Sequence, residues 1–408
     1  MNKKFLCMIS LITILLILLG TFINWEKGTA SAAAISLEVE ESGLSYKHEG
    51  TIGAVPYTFS PDHLTQSDWV QSNINGFGEK TNAQIPALAS FKGYLYAGTW
   101  KEGEIENSTE IWRTLDGSLW EKVDTRQVEG CAHLIEYDEY LYCGSWDGRI
   151  WRTANGTTWA EEISEGFGYD QEGIARFAVF DNLLYASTWC GGGTEIWRTD
   201  DGVNWTLFGE TGIGGDTNND GAISSEIYND CLYWGVRNWS TGAQLWKTDG
   251  KDFDQVFDES LVPTYNYAVS SLASFNGYLY ASLVNDDDIE IFRSNDDVHW
   301  DSVLLMSDVG SSASSNAGLE VNQNQLYLIA TNHETGLEVW RTSDGELWEQ
   351  VGFEGFGDSN NQTSYWDNGV TTFNNKLFVG ITNFADGGEI WRYEKTDSKI
   401  FLPLIMNN

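Results

Sequence analysis

The sequence predicts an all-β fold: a seven-bladed β-propeller of four-stranded blades, closed by an N-terminal strand. Three observations carry this prediction. A unit recurs whose clearest copy reads Phe91-Lys92-Gly93-Tyr94-Leu95-Tyr96-Ala97-Gly98-Thr99, then a variable loop, then Glu110-Ile111-Trp112-Arg113-Thr114, then Asp116-Gly117 and Trp120. Its leucine returns at Leu141, Leu184, Leu232, Leu279, Leu326 and Leu377, roughly 43 to 51 residues apart, a period that belongs to propellers and solenoids. The last copy stops at Trp391-Arg392-Tyr393, without the aromatic that follows the turn in the others (Trp120, Trp159, Trp205, Phe253, Trp300, Trp348). Near the front, Trp69 stands seven residues ahead of Gly76-Phe77-Gly78, as Trp159 and Trp348 stand ahead of Gly166-Phe167-Gly168 and Gly355-Phe356-Gly357. The front of the chain therefore supplies the strand missing at the back. An open stack has no use for it, whereas a ring does, and closure removes an exposed sheet edge.

Taken in chain order, Lys3 and Lys4 precede an apolar run from Phe5 to Ile23, and Ala30-Ser31-Ala32 offers a small-residue cleavage site. Residues 1–32 read as a secretory signal; an uncleaved anchor is the alternative, since the run is almost long enough to span a bilayer. Residues 33–66 form an N-terminal extension, 67–395 the propeller and 396–408 a C-terminal tail. Each unit reads as an inner strand such as Ile85 to Ser90, a second from Tyr94 to Thr99, a third from Glu110 to Thr114 and an outer one around Trp120. Alternating apolar residues, aromatic enrichment and Asp-Gly or Gly at the breaks support strands. The large aromatics of the third and fourth strands, Trp in all but Phe292 and Phe253, recur along the units and fill the space between blades. The arginine after each third-strand tryptophan pairs with local acids or carbonyls.

The 408 residues include 60 acids against 23 Lys and Arg, for a formal charge of -37. That charge repels phosphate backbones and argues against nucleic acid. Calcium, cationic partners, neutral sugars or plain solubility are compatible with it, and a monomer with no membrane span after signal removal is expected. Beyond Cys7 the chain has Cys131, Cys143, Cys190 and Cys231, which allow three pairings. A tight hairpin at Tyr137 to Tyr140 puts Cys143 opposite Leu134, which leaves Cys131 and Cys143 poorly placed to bond, so no disulfide is predicted.

The turns Thr114-Leu115-Asp116-Gly117, Thr199-Asp200-Asp201-Gly202 and Thr342-Ser343-Asp344-Gly345, each with Trp three residues on, resemble the Asp-box of bacterial neuraminidase-type repeats, with Asp and Gly adjacent instead of separated. Asp297-Val298 lacks the glycine and Asn155-Gly156 lacks the acid. The whole pattern, from about Asp68 to Tyr393, is similar to a repeat of secreted bacterial propellers of unknown role. The resemblance implies a sialidase-like propeller fold and does not itself imply sialidase activity. The ending Lys399-Ile400-Phe401-Leu402-Pro403-Leu404-Ile405 resembles a short apolar ending of such proteins, either a docking or sorting tail or an ordered end.

Function is sought where copies differ, because shared positions already have a packing explanation. Five residues after the marker leucine the units carry Trp100, Trp146, Trp189, Arg237, Val284, Thr331 and Thr382, and the last four follow with Asn238, Asn285, Asn332 and Asn383. Eight residues before the leucine the column is Ala87, His133, Arg176, Ser224, Ser271, Gly318 and Gly369. Up-and-down strands put both columns on one face. Trp100, Trp146 and Trp189, with His133, Arg176 and Arg237, are therefore candidate ligand-binding residues: indoles stack on the apolar faces of sugars while polar groups read the hydroxyls. The opposing expectation is inter-blade packing and a satisfied buried histidine. In the loop 216–223, Asp216, Asn218 and Asp220 with Gly221 match the first half of a calcium loop, although position twelve is Ile227; an ordinary Asn/Asp/Gly turn is the alternative.

No G-x-S-x-G, H-E-x-x-H or P-loop occurs. Outside the periodic row, Arg126, Arg176 and Arg237 do not form a clear carboxylate clamp. A uronate lyase could recruit His133, Arg176 and Tyr265 or Tyr267. The sequence thus predicts a secreted or cell-surface protein binding extracellular glycan, with a glycoside hydrolase or polysaccharide lyase, or a protein-protein scaffold, as alternatives.

Overall fold

Strand propensity and turn chemistry give each copy of the repeat the same meander. In the computed structural model, which describes residues 68–101, 109–123, 128, 130–164, 166–167, 173–258, 265–363 and 369–394, the first copy runs Asn82–Phe91, Tyr94–Lys101, Ile111–Thr114 and Trp120–Val123, hydrogen-bonded in that order. The copies beginning at Cys131–Tyr137 and Ala313–Asn322 repeat this antiparallel four-stranded order. Single bridges Trp189↔Gly221 and Arg237↔Ala268 join three further copies into a 12-stranded sheet. In the last copy Trp69–Gln71 pairs with Ile390–Tyr393, with Trp69 opposite Tyr393. The described residues hold only strands, turns and short 3-10 turns. The signal (1–32), the extension (33–66), the tail (396–408) and Arg126 lie outside the described residues.

Each first strand lies beside the first strand of the next copy, and Asn82–Phe91 lies beside Val370–Phe373 of the last copy. Between copies the repeated motifs do the packing. Phe77, Phe167 and Phe356 of the Gly-Phe-Gly turns stack on Trp112, Trp197 and Trp391 at 4.4, 4.4 and 4.7 Å. Gly156, Gly202 and Gly345 sit at positive φ against the hydroxyls of Tyr96, Tyr142 and Tyr280, where any Cβ would collide. Arg152 and Arg293 donate to those same Tyr142 and Tyr280 hydroxyls and to the carbonyls of Asp201 and Gly345 in the next turn. The arginine row is thus structural stitching. In the fifth turn the register read from the sequence is corrected by one residue: Asp296 accepts the Val298 and His299 N–H groups, so Asp297 and not Val298 stands where the other turns have glycine. There the row carries Lys247 instead, and Lys247 and Asp297 form an ion pair at 2.9 Å while the Tyr233 hydroxyl donates to the same carboxylate.

One expectation is corrected. Cys131 and Cys143 form a disulfide, with Cα atoms 5.6 Å apart. Leu134 does face Cys143, but a β-bulge between Cys131 and His133 adds a residue to the strand. On a regular strand three residues would turn Cys131 to the other face; the bulge brings it back to the face of Cys143 and draws it close. Similar register shifts occur at Ile174/Arg176, Ala222/Ser224 and Val269/Ser271.

Candidate functional site

The loops joining copies on the bulge-bearing face are held by buried amides. Asn219 donates to the Gly212 carbonyl at 2.8 Å and to Gln244 at 3.0 Å, and accepts from Asn238 at 2.8 Å. Asn238 also donates to Asp216, while its Oδ1 receives the N–H groups of Ser240 and Thr241. Asn285, Asn332 and Asn383 cap their own turns in the same way. The column of asparagines seen in the sequence is therefore a set of turn caps. The Asn238 cap presents the next residue, Trp239, outward.

Around Trp239 the structure gathers a stack of planar groups. Arg237 lies 4.2 Å from the Trp189 ring centroid and 5.8 Å from that of Trp239. Trp239 in turn stacks on Tyr267 at 3.9 Å, with planes 21° apart. Asp220 holds Arg237 through two bonds of 2.7 and 3.0 Å, a bidentate pair. Trp189 is buried and packs over Gly221, where a Cβ would strike its ring. Trp239 and Tyr265 are 51% and 48% exposed, and the Tyr265 hydroxyl donates to the Trp239 carbonyl. Tyr267 donates to the Ser315 carbonyl, and its hydroxyl is pushed up to about 12 by burial and then by the Asp286 carboxylate, against the pull of Arg237.

The structure therefore brings Trp189 and Arg237 together, with Trp146 packed against the apolar cluster that contains Trp189 and Tyr267. Trp100 is half-buried at the end of its own strand, opposite Gln84. His133 is buried, stacks near Phe177 and accepts the Phe177 N–H at Nδ1 at 2.7 Å. Burial, and secondarily the Arg176 charge, hold its pKa well below the ordinary histidine range. Ser271 plays the same part three copies on, its Oγ accepting the Leu319 N–H at 2.8 Å. In that column His133 and Ser271, each just after a bulge, thus accept a backbone N–H of the neighbouring copy, while Ser224 donates its hydroxyl to the Val269 carbonyl. Arg176 donates to Ser225 and lies near the half-buried Glu226 carboxyl, whose pKa desolvation raises.

Asp216 bonds the Asn218 N–H and side-chain amide. Burial opposes its ionisation, but these donors, with Asn238 and Gln244, hold its pKa below the usual carboxylate value. With Asp220 bonded to Arg237 and the Asn218 Oδ1 accepting from Ser240, all three candidate calcium-loop side chains have protein partners. Among the described residues no cluster of three or more His, Cys, Asp or Glu stands ready for a metal. Trp239 was the residue that sequence reasoning missed; its signal was the position just after the asparagine column, where the copies carry Trp239, Asp286, His333 and Phe384.

No family model and no curated protein matches the chain. Among solved structures it is similar to YCF48 from Cyanidioschyzon merolae over 80% of this chain and 98% of that one, at 12% identity and a TM-score of 0.54. It is also similar to the extracellular domain of a hybrid two-component system from B. thetaiotaomicron over 76% of this chain and 40% of that one, at 9% identity and a TM-score of 0.50. Both neighbours are propeller-like. The fold is β-propeller-like. At these identities the likeness speaks for fold alone. Among the described residues no helix is long and apolar enough to cross a membrane.

Proposed function

We propose that the chain is a secreted or cell-surface, monomeric binding protein that recognises extracellular glycan through the Trp239 face of a closed seven-bladed propeller. Closure is supported by the cyclic neighbour order of the first strands and by Trp69–Gln71 pairing outside Ile390–Tyr393. The ligand reading rests on Trp239: half-exposed, stacked on Tyr267 and flanked by polar and charged groups, the composition that suits the apolar face and hydroxyl rim of a sugar. Trp189 and Arg237 support that platform, with Trp146 and Trp100 further along. The lyase alternative would need His133 as a base, but its Nδ1 is occupied by the Phe177 N–H and its tendency to take up a proton is suppressed.

A glycan array probed with wild type, Trp239→Ala and the triple Trp100→Ala, Trp146→Ala, Trp189→Ala tests this. Binding should be lost in Trp239→Ala. A wild type that binds no glycan but captures protein partners would replace the reading with the scaffold alternative. Recovery of the exported chain lacking residues 1–32, at monomer mass, checks localisation and assembly.

A further inference from the structure

We infer that the Trp239 face selects neutral sugars and rejects uronates and other carboxylated glycans; this rests on the glycan reading above and names its substrate class. The decisive feature is the state of Arg237. An arginine at a sugar site ordinarily marks a carboxylate ligand, because the guanidinium fork matches two carboxylate oxygens. Here both arms of that match are supplied from within the chain, with Asp220 accepting from Nε and from a terminal nitrogen at 2.7 and 3.0 Å. The guanidinium is also covered on one side by Trp189 at 4.2 Å. Arg237 therefore acts as a flat, charge-compensated spacer between two indoles, and an incoming carboxylate would meet a guanidinium whose charge Asp220 already balances, so it gains less than it must lose by desolvation.

The surroundings add to that discrimination. Asp286 lies close enough to Tyr267 to raise its pKa, and the whole chain carries a formal charge of -37, so an anionic ligand approaches against the field. The exposed part of Trp239 presents apolar surface to a ligand. A neutral pyranose with an apolar C–H face meets no electrostatic opposition there and gains the stacking contact.

Isothermal titration of the full exported chain with three probes tests this: an N-acetylglucosamine oligomer, a glucosamine oligomer and an oligogalacturonate, each at low and high salt. The neutral oligomer should bind with little salt dependence, lose binding in Trp239→Ala, and exceed oligogalacturonate by roughly tenfold or more. Asp220→Asn should then release the guanidinium and raise oligogalacturonate affinity roughly tenfold while neutral binding persists, which also reports that the variant folds. Equal wild-type affinity for oligogalacturonate, or no uronate gain in an Asp220→Asn protein that still binds the neutral probe, overturns the selectivity while leaving glycan binding standing. Preferred, salt-sensitive binding of the glucosamine oligomer that survives Trp239→Ala overturns it by assigning recognition to diffuse negative charge. Failure of all three probes overturns the glycan reading itself. If Asp220→Asn does not fold, the wild-type comparison of neutral and uronate probes decides alone.

Discussion

Two loops of this protein are built on one frame and carry different chemistry. In the loop 212–219, Asp216 accepts from the Asn218 backbone and from Asn238, while Asn219 ties Gly212 to Gln244. In the loop 355–361, Asp358 accepts from the Asn360 backbone and from Asn383, while Asn361 ties Gly355 to Glu389. The bonds match one for one. What differs stands beside the frame: Asp220, Arg237 and Trp239 in one, Gln362, Thr382 and Phe384 in the other. Bonds common to both loops hold a turn wherever it occurs, so the Asp216 loop needs no ligand to explain its shape. The ion pair and the indole occur in one loop only, and they are where a specific activity has to be sought.

The largest effect should come from breaking what only one loop depends on. Trp69 is 2% exposed and lies 4.9 Å from Phe356, near the start of the loop 355–361. Trp69→Ala should cost about 3–5 kcal/mol in urea denaturation, as for other large buried aromatics. Hydrogen exchange should rise first at 354–361 and leave 212–219 protected. Equal exchange at both loops would show that the front strand does not hold the second loop in particular.

Asn219→Ala and Asn361→Ala test the shared frame, and each should cost about 2–3 kcal/mol because buried partners lose their bonds. Their pH dependence should differ. Gln244 is neutral, whereas the Glu389 carboxyl has its pKa raised by burial, against the bonds from Trp391 and Asn361. A raised carboxyl pKa means stability that is full below the unfolded value and is lost as pH rises through the folded one. Removing Asn361 takes away a donor that favours the ionised form, so the Asn361→Ala penalty should grow as pH rises above the ordinary glutamate range while that of Asn219→Ala stays level. Parallel pH profiles would sink this distinction.

The same comparison shows what could be read from sequence. The meander, the packing roles of both tryptophan rows and the arginine stitching were legible because each recurs with a fixed spacing and each has one simple physical use. The pairing of Trp69 beyond Tyr393 was legible from a single shared spacing. Bulges were not, since a bulge changes which face a residue takes without changing its neighbours in sequence. That hid the disulfide between Cys131 and Cys143 and made His133 look like an exception, when the bulge gives it the task Ser271 performs elsewhere. Trp239 was obscured because it follows a turn cap, and capping is a bonding role that residue type alone does not reveal.

His133 and Ser271 offer a smaller test of equivalent positions. Burial keeps His133 neutral, so the unfolded chain takes up its proton first as pH falls. Its contribution is therefore present above the ordinary histidine pKa of about 6.5 and is lost below it. His133→Ser, which installs the side chain that Ser271 uses for the same bond, should keep the Phe177 N–H bonded and flatten the stability profile between neutral pH and about pH 5. A profile as steep as wild type would assign the acid sensitivity to other groups.

Calcium should give the smallest wild-type effect. A cation entering the loop at Asp216, Asn218 and Asp220 must compete with Arg237 for the Asp220 carboxylate, and the bidentate pair is already made. Chelation should therefore leave the wild-type Tm unchanged within error. Arg237→Ala removes the competitor and leaves Asp220 uncompensated in the same loop as Asp216. In that variant calcium should stabilise the fold, by about 1.4 kcal/mol at tenfold excess over its Kd. The loop 355–361, which has Gln362 where the first has Asp220, serves as the internal control: Thr382→Ala, at the position of Arg237, should gain no calcium response. A wild-type Tm that falls on chelation and stops falling in Asp220→Ala would show that calcium outcompetes Arg237, and would make the ion a resident of the first loop.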